Sequence, residues 1–509
     1  MEGHISSIIV LGAGSAGLLA AISLRKKLPG AVKIEIVRSP KIGIIGVGEG
    51  TTPNFPAFLF DYLQLDEERF FDEVRPIWKR GIHFVWGSRG EFPYAFGNHY
   101  SVADTGFSRP NGFYSWERPY ESGFIGHMMK KRKVFLKNEH GHPKVDGSTG
   151  FHLENHLLVS WLEKEARRLG VAITDAEITG AEREGGRVGC LKLEGGGTLR
   201  ADFYVDASGF RSELLRGVLG EQFESFSDTL ICDRAVVGGW EREEGDPILP
   251  YTTAETMTAG WSWRIDHEKH VNRGYVYSTL FITDEEAERE FREKNPQITK
   301  TRVVAFSSGH YRNTWVGNVC AVGNSAGFVE PMEATALMVL CVELRALVGS
   351  LLEGRLTVRP SLVSLYNQFS NGVWNEIRDF LAIHYKYNSK IDSPFWRECQ
   401  AQVLPAGAER IVEFYEENGP TRFARDFLLP KASQFGIEGW WALLIGQKLP
   451  WKMEAVSPTE SRLWKERQVR LNRAVESALT TEEALESVRD PSYWKLTAPA
   501  ARKSAAGRR

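Results

Sequence analysis

The sequence predicts a Rossmann-like α/β module joined to a mostly helical second module. Residues 1–40 contain a short run rich in β-branched residues, a glycine-rich turn, an apolar helix and a second strand. This order is typical of the start of a βαβ unit. Beyond residue 355, apolar residues recur at helical spacing. In the predicted helix 374–388, the side chains that share one face are Ile377, Phe380, Leu381, His384 and Tyr385.

Composition limits the possible functions. At roughly 100–200 residues per domain, a chain of 509 residues forms two to four structural units or one large enzyme body. Hydrophobic residues make up 42% and charged residues 25%, which excludes a long disordered protein. Lys and Arg total 63 against 65 Asp and Glu. Because there is no basic excess, the sequence gives no support for nucleic-acid binding.

Cysteine usage and hydropathy predict a cytoplasmic protein without a membrane segment. The five cysteines are far apart, and none is paired at metal-ligand spacing, so reduced thiols and no metal site are expected. The uncharged segment 5–24 contains a glycine turn and follows no Lys or Arg, which argues against a signal peptide or a membrane span. The cysteines are Cys190, Cys232, Cys320, Cys341 and Cys399.

The first predicted strand, 7–11, leads into a G-x-G-x-x-G turn and then a helix to about residue 25. In such a turn Gly12 permits the bend, Gly14 lets a pyrophosphate approach the backbone, and Gly17 lets helix and strand pack closely. The second strand, 32–37, is followed by Arg38 where an acidic ribose ligand is usual. The pattern predicts dinucleotide binding by Gly12, Ala13, Gly14, Ser15, Ala16 and Gly17.

Two further strands, 199–205 and 315–322, are predicted to enter glycine turns, and an apolar helix follows at 333–353. The second turn, 323–327, also fits the G-x-S-x-G elbow of serine hydrolases. That elbow needs a helix directly after it, and residues 328–331 intervene. The hydrolase is therefore the weaker alternative.

The start of the 333–353 helix is a candidate anion site. Pro331 precedes it, and the free amides around Thr335 and Ala336 point towards any small anion bound there. Glu333 is either a catalytic group or a carboxylate that compensates the helix dipole. His267 and His270 are solvated histidines or two ligands of a metal site. The basic run 130–133 is a solvated surface or a docking patch for an acidic partner.

Several segments together resemble the flavin-dependent halogenases of the tryptophan-halogenase superfamily, from the first strand to about residue 490. Lys79 stands where that family keeps an essential lysine. The other matching segments are Gly46-Val47-Gly48-Glu49-Gly50-Thr51-Thr52-Pro53, Asp206-Ala207-Ser208-Gly209-Phe210-Arg211, and Gly323-Asn324-Ser325-Ala326-Gly327-Phe328-Val329-Glu330-Pro331 with Glu333.

The resemblance implies an enzyme that uses FADH2, O2 and chloride or bromide to make hypohalous acid. The acid then halogenates a small electron-rich aromatic substrate, indole-like or phenol-like. Lys79 and Glu333 are implied as catalytic, and the amides of Thr335 and Ala336 as the halide site. The implied flavin ligands are the glycine turn with Gly48, Glu49, Asp206, Asn324 and Leu337, and the implied substrate-side residues are Phe96, Trp261, Trp263 and Trp441.

The sequence departs from the family pattern at three places. Asp266 replaces the proline of the W-x-W-x-I-P signature, which here begins at Trp261. Ala334-Thr335-Ala336 replaces S-T-G after the glutamate. Tyr94 stands where enzymes that act on free tryptophan have the histidine of His-Pro-Phe-Gly, and their paired C-terminal tyrosines are not found. We therefore expect free tryptophan to be a poor substrate.

The expected organisation is a discontinuous, hydroxylase-type FAD-binding module and a substrate module. The first comprises 1–90, 150–230 and 300–345; the second comprises 91–149, 231–299 and 346–495. Residues 496–509 are predicted to be a disordered tail. A separate flavin reductase and a place in antibiotic biosynthesis are implied, whereas monomer or homodimer is left open. The rivals are a one-component FAD-dependent aromatic hydroxylase and a catalytically silent flavoprotein that binds a partner through the basic run.

Overall fold

The computed structural model describes residues 3–43, 48–430, 432–452 and 456–497. Its N-terminal unit is built on a six-stranded sheet that is parallel except for one edge hairpin. The first strand pairs with the second and with the strand near residue 205, so their carboxyl ends meet at one edge. In spatial order the strands are Trp315–Val316, Val319–Ala321, Phe203–Asp206, Ser7–Leu11, Lys33–Arg38 and Ala172–Asp175.

A seven-stranded, largely antiparallel sheet forms the second layer. One face of the strand Gly260–Asp266 carries the Trp261 and Trp263 side chains, and Ser262 on the other face is also buried, so this strand is covered on both sides. In spatial order its strands are Thr301–Ala305, Arg234–Glu241, His270–Tyr277, Gly260–Asp266, Thr252–Met257, Gly81–Val85 and Phe92–Ala95.

Three small sheets accompany these two in the part of the chain that the structure describes. The sheet that matters most for the site is antiparallel and joins Glu49–Gly50, Gly150–Leu153 and Ile77–Lys79. The other small sheets consist of Thr198–Leu199, Arg187–Leu193 and Ile178–Glu184, and of Phe223–Ser225, Gly309–Tyr311 and Gly327–Phe328.

Helices cover both layers and make up most of the chain after residue 335. A π-helical turn occupies Ala57–Tyr62, and short 3₁₀ turns occupy Pro119–Glu121, Gly209–Arg211 and Gly323–Ser325. The α-helices are Ser15–Lys27, Asn54–Pro56, Glu67–Val74, Asn111–Ser115, Phe124–Lys130, Asn155–Arg168, Asp284–Lys294, Thr335–Glu353, Pro360–Lys386, Pro394–Ala401, Ala406–Asn418, Ala424–Phe427, Gly436–Gly446, Pro458–Glu476, Thr481–Arg489 and Pro491–Thr497.

The helix Thr335–Glu353 lies between the two hydrophobic cores. Leu340 and Leu344 pack into the core of the six-stranded sheet, and Met338 and Val339 pack into the aromatic core beside the seven-stranded sheet. By length and composition this helix is apolar enough to cross a membrane, but 61% of its apolar window is buried inside the protein. Its hydropathy therefore fits a central core helix.

The predicted fold class is confirmed: an α/β nucleotide-binding unit is combined with a helical C-terminal part. The βαβ start falls within two residues of its predicted bounds. The segment predicted as one strand at 199–205 instead contributes to two strands, Thr198–Leu199 and Phe203–Asp206. These belong to different sheets, because the chain leaves a small antiparallel sheet and then enters the six-stranded sheet. The predicted substrate module contributes most of the seven-stranded sheet, so it is mainly helical only from Pro360–Lys386 onwards.

The division into modules stays a prediction. The strand Thr301–Ala305 pairs with Arg234–Glu241, although the two were assigned to different modules. The final helix Pro491–Thr497 takes in the first two residues of the predicted tail. Residues 498–509 lie outside the described residues.

Candidate active site

A cavity of about 660 Å³ opens at the carboxyl edge of the six-stranded sheet, where doubly wound folds bind their ligands. Gly12 has φ +111°, and a Cβ there would lie 2.4 Å from the Ala207 carbonyl oxygen. A Cβ on Gly17 would lie 2.0 Å from the Gly12 oxygen, whereas one on Gly14 would meet nothing within 4 Å. The turn therefore needs two glycines for packing and leaves open space over the third.

The cavity is suited to a dinucleotide. The helix Ser15–Lys27 begins at Gly14 without a side-chain cap, so its first amides face the cavity and favour a phosphate. The predicted cofactor residues that line the cavity are Gly12, Ala13, Gly14, Ser15, Ala16, Gly48, Glu49, Asn324 and Leu337. Gly46 and Val47 lie outside the described residues.

The end of the cavity beside Arg38 has acidic groups that the sequence analysis missed. Arg38 forms ion pairs with Glu163 and Asp175 at 2.7 and 2.6 Å, and both carboxylates line the cavity with Glu177. They lie more than 120 positions after the second strand, so spacing along the chain gave no signal for them.

Asp206 does not line this cavity, in contrast to its predicted role. One carboxylate oxygen accepts hydrogen bonds from the Leu214 and Leu215 amides, at 2.7 and 3.0 Å. The other accepts from the hydroxyl of Ser208 at 2.6 Å. Asp206 is completely buried, and it supports the loop that shapes the cavity without facing it.

The turn at 323–327 is not a nucleophile elbow. Gly323–Ser325 is a single 3₁₀ turn followed by the short strand Gly327–Phe328, so the required helix is absent there. The Ser325 side chain is buried and donates to the Gly209 carbonyl at 3.1 Å. The turn instead presents Asn324 to the cavity.

Lys79 ends the strand Ile77–Lys79 and reaches the inner end of the cavity. Its side chain is completely buried, and within the described part of the chain its ammonium has no hydrogen-bond partner. The ammonium lies 5.4 Å from the centre of the Phe96 ring. Burial lowers the pKa of Lys79 to about 8, although the Glu333 carboxylate opposes this shift.

The backbone around Gly50 brings Lys79 to the helix start. A Cβ on Gly50 would lie 3.3 Å from the Lys79 nitrogen, 3.4 Å from the Ala334 Cβ and 3.5 Å from the Thr252 hydroxyl. Thr252 also bonds His152, whose pKa is held well below its ordinary value by burial and then by the positive charge of Lys79. A neutral imidazole thus accompanies the lysine.

Glu333 lies just before the helix Thr335–Glu353 and is 2% exposed. Its Oε1 is 2.8 Å from the Nε2 atom of His384, which is completely buried in the helix Pro360–Lys386. Sequence analysis placed His384 on a buried helical face, but nothing in the spacing linked it to a carboxylate 51 positions earlier.

The predicted halide site is at the first turn of the same helix. Ala334 adopts a left-handed conformation, φ 56° and ψ 40°, and the helix begins at Thr335. The first amides of a helix have no partner within it, and Ala336 lines the cavity. Thr335 is buried and does not line it. Ala334 therefore adopts a left-handed backbone conformation at the position where the family pattern has serine.

Aromatic side chains fill the space on the other side of Glu333. Phe380 stacks on Phe435 with ring centres 3.7 Å apart. The same Phe380 ring contacts Trp440 and His384 edge-on, at 5.1 and 5.3 Å, and Tyr94 at 6.2 Å. This group forms an apolar wall next to the Glu333–His384 contact, and it is the candidate substrate side.

The four predicted substrate-side aromatics differ in position, and Phe96 is the one beside Lys79. Trp263 lines the cavity, and its indole lies over Gly274, where a Cβ would be 2.0 Å from the ring. Trp261 is buried, and its ring centre lies 6.0 Å from the ring centre of Trp263. Trp441 donates its N–H to the Thr421 carbonyl at 3.0 Å and packs on Tyr415. Its neighbour Trp440, which was not predicted, is the one that contacts Phe380.

The histidines considered as metal ligands are not a metal centre in the part of the chain that the structure describes. Within residues 3–43, 48–430, 432–452 and 456–497, no three His, Cys, Asp or Glu side chains are grouped to hold an ion. The interpretation of His267 as solvated is wrong, because it is 2% exposed. It accepts a hydrogen bond from Asn272, and burial lowers its pKa to about 3.

The cavity combines a glycine turn suited to a dinucleotide with a buried ammonium that has no hydrogen-bond partner among the described residues, as expected for an enzyme that carries out chemistry beside a cofactor. Residues 7–459 match the model of the tryptophan halogenase family. The chain therefore belongs to this family, as its motifs predicted, and it is an enzyme of the flavin-dependent halogenase class.

Individual relatives support the assignment. The chain is 30% identical to the tryptophan 7-halogenase RebH of Lentzea aerocolonigenes, over 82% of both chains. It is 31% identical to the tryptophan 7-halogenase KtzQ of Kutzneria sp. (strain 744), over 82% of this chain and 83% of that one. Among solved structures it resembles MibH, a lanthipeptide tryptophan 5-halogenase, with TM-score 0.88 and 34% identity over 97% of this chain and 95% of that one.

Proposed function

We propose that this enzyme uses FADH2, O2 and chloride or bromide to make hypohalous acid, and that it halogenates an electron-rich aromatic ring of the indole or phenol type. The observation that carries the proposal is the Lys79 ammonium. It is buried, has no hydrogen-bond partner among the described residues, lines the cavity and lies 5.4 Å from the centre of the Phe96 ring. An unpaired buried cation is costly, so a site that retains one is expected to use it on a ligand.

The residues fit FAD. The open space over Gly14 and the uncapped helix at Ser15 suit the pyrophosphate, and Asn324 and Leu337 face the inner part of the cavity. When bound, reduced FAD supplies the chemistry that combines O2 and halide into hypohalous acid. The free amides at the start of the helix Thr335–Glu353 would hold the halide.

Lys79 acts on the hypohalous acid. Its ammonium donates a hydrogen bond to the acid oxygen and makes the halogen more electrophilic; alternatively, the free amine forms a haloamine. Because its pKa is about 8, both forms are available near neutral pH. Glu333 would balance the positive charge that develops on the ring. Both groups stabilise charge that appears only in the transition state.

The test is halogenation of an aromatic panel by the purified protein with FAD, a flavin reductase and chloride or bromide, read by mass spectrometry. A halogenated indole or phenol supports the proposal. The one-component hydroxylase predicts instead an oxygenated product that forms without halide. The silent flavoprotein predicts no product from any member of the panel.

A separate flavin reductase is proposed as the partner that supplies FADH2. The support is one glycine fingerprint and no second one for a nicotinamide cofactor. We expect slow oxidation of NADH or NADPH by the protein alone and fast turnover once a reductase is added. Fast oxidation of either nucleotide by the protein alone would contradict this.

A peptide-borne tryptophan is a second candidate substrate. MibH, which is similar over nearly the whole chain, is described as a lanthipeptide tryptophan halogenase. This chain also exposes Phe423 and Phe427 at 63% and 66%, with the two rings stacked 4.4 Å apart. Phe423 is linked through Phe414 to Trp441 by parallel rings. Such an exposed aromatic surface suits a substrate larger than an amino acid.

This candidate is tested with linear peptides that contain one tryptophan, compared with indole in the same assay. Phe423→Ser and Phe427→Ser should raise KM for the peptide and leave indole halogenation unchanged. Val403 is also exposed, so Val403→Ser is the control for the effect of adding a polar side chain to the surface. Equal effects of the two phenylalanine variants on indole and peptide would exclude a peptide-specific role.

A further inference from the structure

The hydrogen bonds of His384 determine how many protons lie between the Glu333 and His384 side chains. The Nδ1 atom of His384 is 2.9 Å from the Phe380 carbonyl oxygen. A carbonyl oxygen only accepts, so Nδ1 must carry the hydrogen. In a neutral imidazole the other nitrogen, Nε2, then has a lone pair and no hydrogen.

That lone pair faces the carboxyl group of Glu333. Nε2 and Oε1 are 2.8 Å apart, and two groups without hydrogen would repel at this distance. One proton must therefore lie between them, either on the carboxyl group or on the imidazole. Because Phe380 fixes the tautomer, the Glu333–His384 pair holds one shared proton in either form.

The surroundings keep this proton from water. Phe84 and Phe380 pack against the His384 ring, each at 5.3 Å, and both members of the pair are buried. The charged and titratable groups near Glu333 are Lys79 and Tyr94, and Glu376 in turn lies near Tyr94. Burial raises the pKa of the Tyr94 phenol and the pKa of the Glu376 carboxyl group.

We propose that Glu333 and His384 relay this shared proton during ring substitution, with His384 as a positioning residue that acts through Glu333; the inference rests on the function proposed above. The O–X bond of hypohalous acid breaks as the C–X bond forms, and the shared proton converts the departing hydroxide to water. The ring carbon then gives its proton to the pair, and the C–H electron pair returns to the ring. Aryl–H and HOX become aryl–X and water, and the pair again holds one proton.

The first test needs no substrate. Ring-¹⁵N-labelled histidine in the full-length protein, with the His384 signals assigned by their loss in His384→Gln, reports which nitrogen carries hydrogen. We expect Nδ1 to be protonated at every pH at which the protein is folded, and the Nε2 signal to move when Glu333 is replaced by Gln. A neutral ring with the hydrogen on Nε2 would overturn the proposal, whether or not the protein halogenates indole.

The second test is the rate and pH dependence of indole halogenation. His384→Gln keeps an amide donor facing Glu333 but cannot carry the extra proton. We expect kcat to fall by about 10²–10⁴, the usual value of a general acid or base, with KM little changed and the pH profile flattened. In the double variant that combines His384→Gln with Glu333→Gln, the loss of kcat should not exceed the loss in the slower single variant, because the two residues act as a unit.

His127→Gln is the matched control, since His127 is also buried but does not line the cavity. Its Nε2 atom lies 2.7 Å from the Gln468 side-chain oxygen. It should retain the parental kcat and pH profile. Parental kcat and pH profile in His384→Gln, or additive losses in the double variant, would overturn the relay. If the parent protein makes no halogenated indole, the proposed function fails for indole, and the NMR result alone decides the proton pair.

Discussion

The ammonium of Lys79 lies 5.4 Å from the centre of the Phe96 ring, and this is the contact of a buried cation with an aromatic face. A cation–π contact offsets only about 0.5–2 kcal/mol, which is less than the usual cost of burying a charge. The remaining cost stays in the folded state. Lys79 is therefore expected to support catalysis at the expense of stability.

Lys79→Ala should abolish halogenation and leave flavin binding nearly intact. The lysine lies outside the glycine turns that hold phosphate, so FAD affinity should not change. Loss of the donor should lower the rate by about 10²–10⁴, while oxygen consumption continues. Glu333→Gln keeps a hydrogen-bonding group but cannot carry the shared proton, so it should lower kcat by about as much as His384→Gln.

Product formation and oxygen uptake are measured on the same Lys79→Ala sample. Lys131→Ala, a change on the protein surface, is the control and should behave as the parent. Halogenation by Lys79→Ala at the parental rate would remove the main support for the proposed role.

Lys79→Met should stabilise the fold. The pKa of Lys79 is about 8 when folded and 10.5 in its ordinary state. Between these values the unfolded chain binds more protons, so the free energy of unfolding of the parent rises with pH through this window. Below pH 8 the full cost of burying the charged Lys79 side chain, on the order of 3 kcal/mol, lowers the free energy of unfolding of the parent.

The free energy of unfolding of Lys79→Met should therefore exceed that of the parent by most at neutral pH and by least near pH 10. Urea unfolding of apoprotein at several pH values measures this difference. An unchanged difference across pH 7–10 would indicate that Lys79 is solvated.

Two neighbouring glycines should separate cofactor binding from folding. A Cβ on Gly14 meets no protein atom within 4 Å, whereas one on Gly17 would lie 2.0 Å from the backbone oxygen of Gly12. Gly14→Ala should fold normally and bind FAD about tenfold more weakly, a loss of about 1.4 kcal/mol. Gly17→Ala should lose about 1–3 kcal/mol of folding stability through overpacking.

Flavin fluorescence titration and thermal unfolding of the apoproteins distinguish these outcomes. If Gly14→Ala binds FAD like the parent, the pyrophosphate does not lie over that position.

The sequence was most informative where function depends on local backbone. The G-x-G-x-x-G turn predicted the first strand, the helix and the cavity, because Gly17 packs on the Gly12 carbonyl within the same βαβ unit and Gly14 leaves open space over the helix start. The Lys79 position followed from resemblance alone. Its burial depends on the Phe96 ring and on Gly50, which come from different sheets.

Contacts between distant segments could not be predicted. His384 meets Glu333 across two helices, and Trp440 replaces Trp441 at Phe380 because the rotation of a short helix decides which of two adjacent tryptophans points there. Asp206 was assigned to the cofactor from the resemblance of its segment to a family motif. Four backbone and side-chain donors satisfy its carboxylate instead.

Free tryptophan should be a poor substrate. Tyr94 is buried against the helix Gly436–Gly446, where a Cβ on Gly439 would lie 2.6 Å from the Tyr94 hydroxyl. The wall around Phe380 is apolar, and a site without polar partners for a zwitterion loses affinity and orientation. We expect kcat/KM for free tryptophan to lie at least tenfold below that for indole, a difference of about 1.4 kcal/mol, measured by competition in one reaction. Efficient chlorination of free tryptophan at a single position would contradict this.

Asp266, which replaces the signature proline, should be important for stability. It is buried and pairs with Arg264 at 2.7 Å and with Arg242 at 3.4 Å, and it accepts the Leu249 amide at 3.0 Å. Asp266→Ala leaves Arg242, itself 4% exposed, without a counter-charge. Breaking a buried pair in this way costs about 3–5 kcal/mol, so the urea midpoint should fall sharply. The exposed ion pair between Asp392 and Arg397 provides the control, since Asp392→Ala should cost about 0–1 kcal/mol. Equal effects of the two substitutions would mean that Asp266 is a tolerated exchange for proline with no structural role.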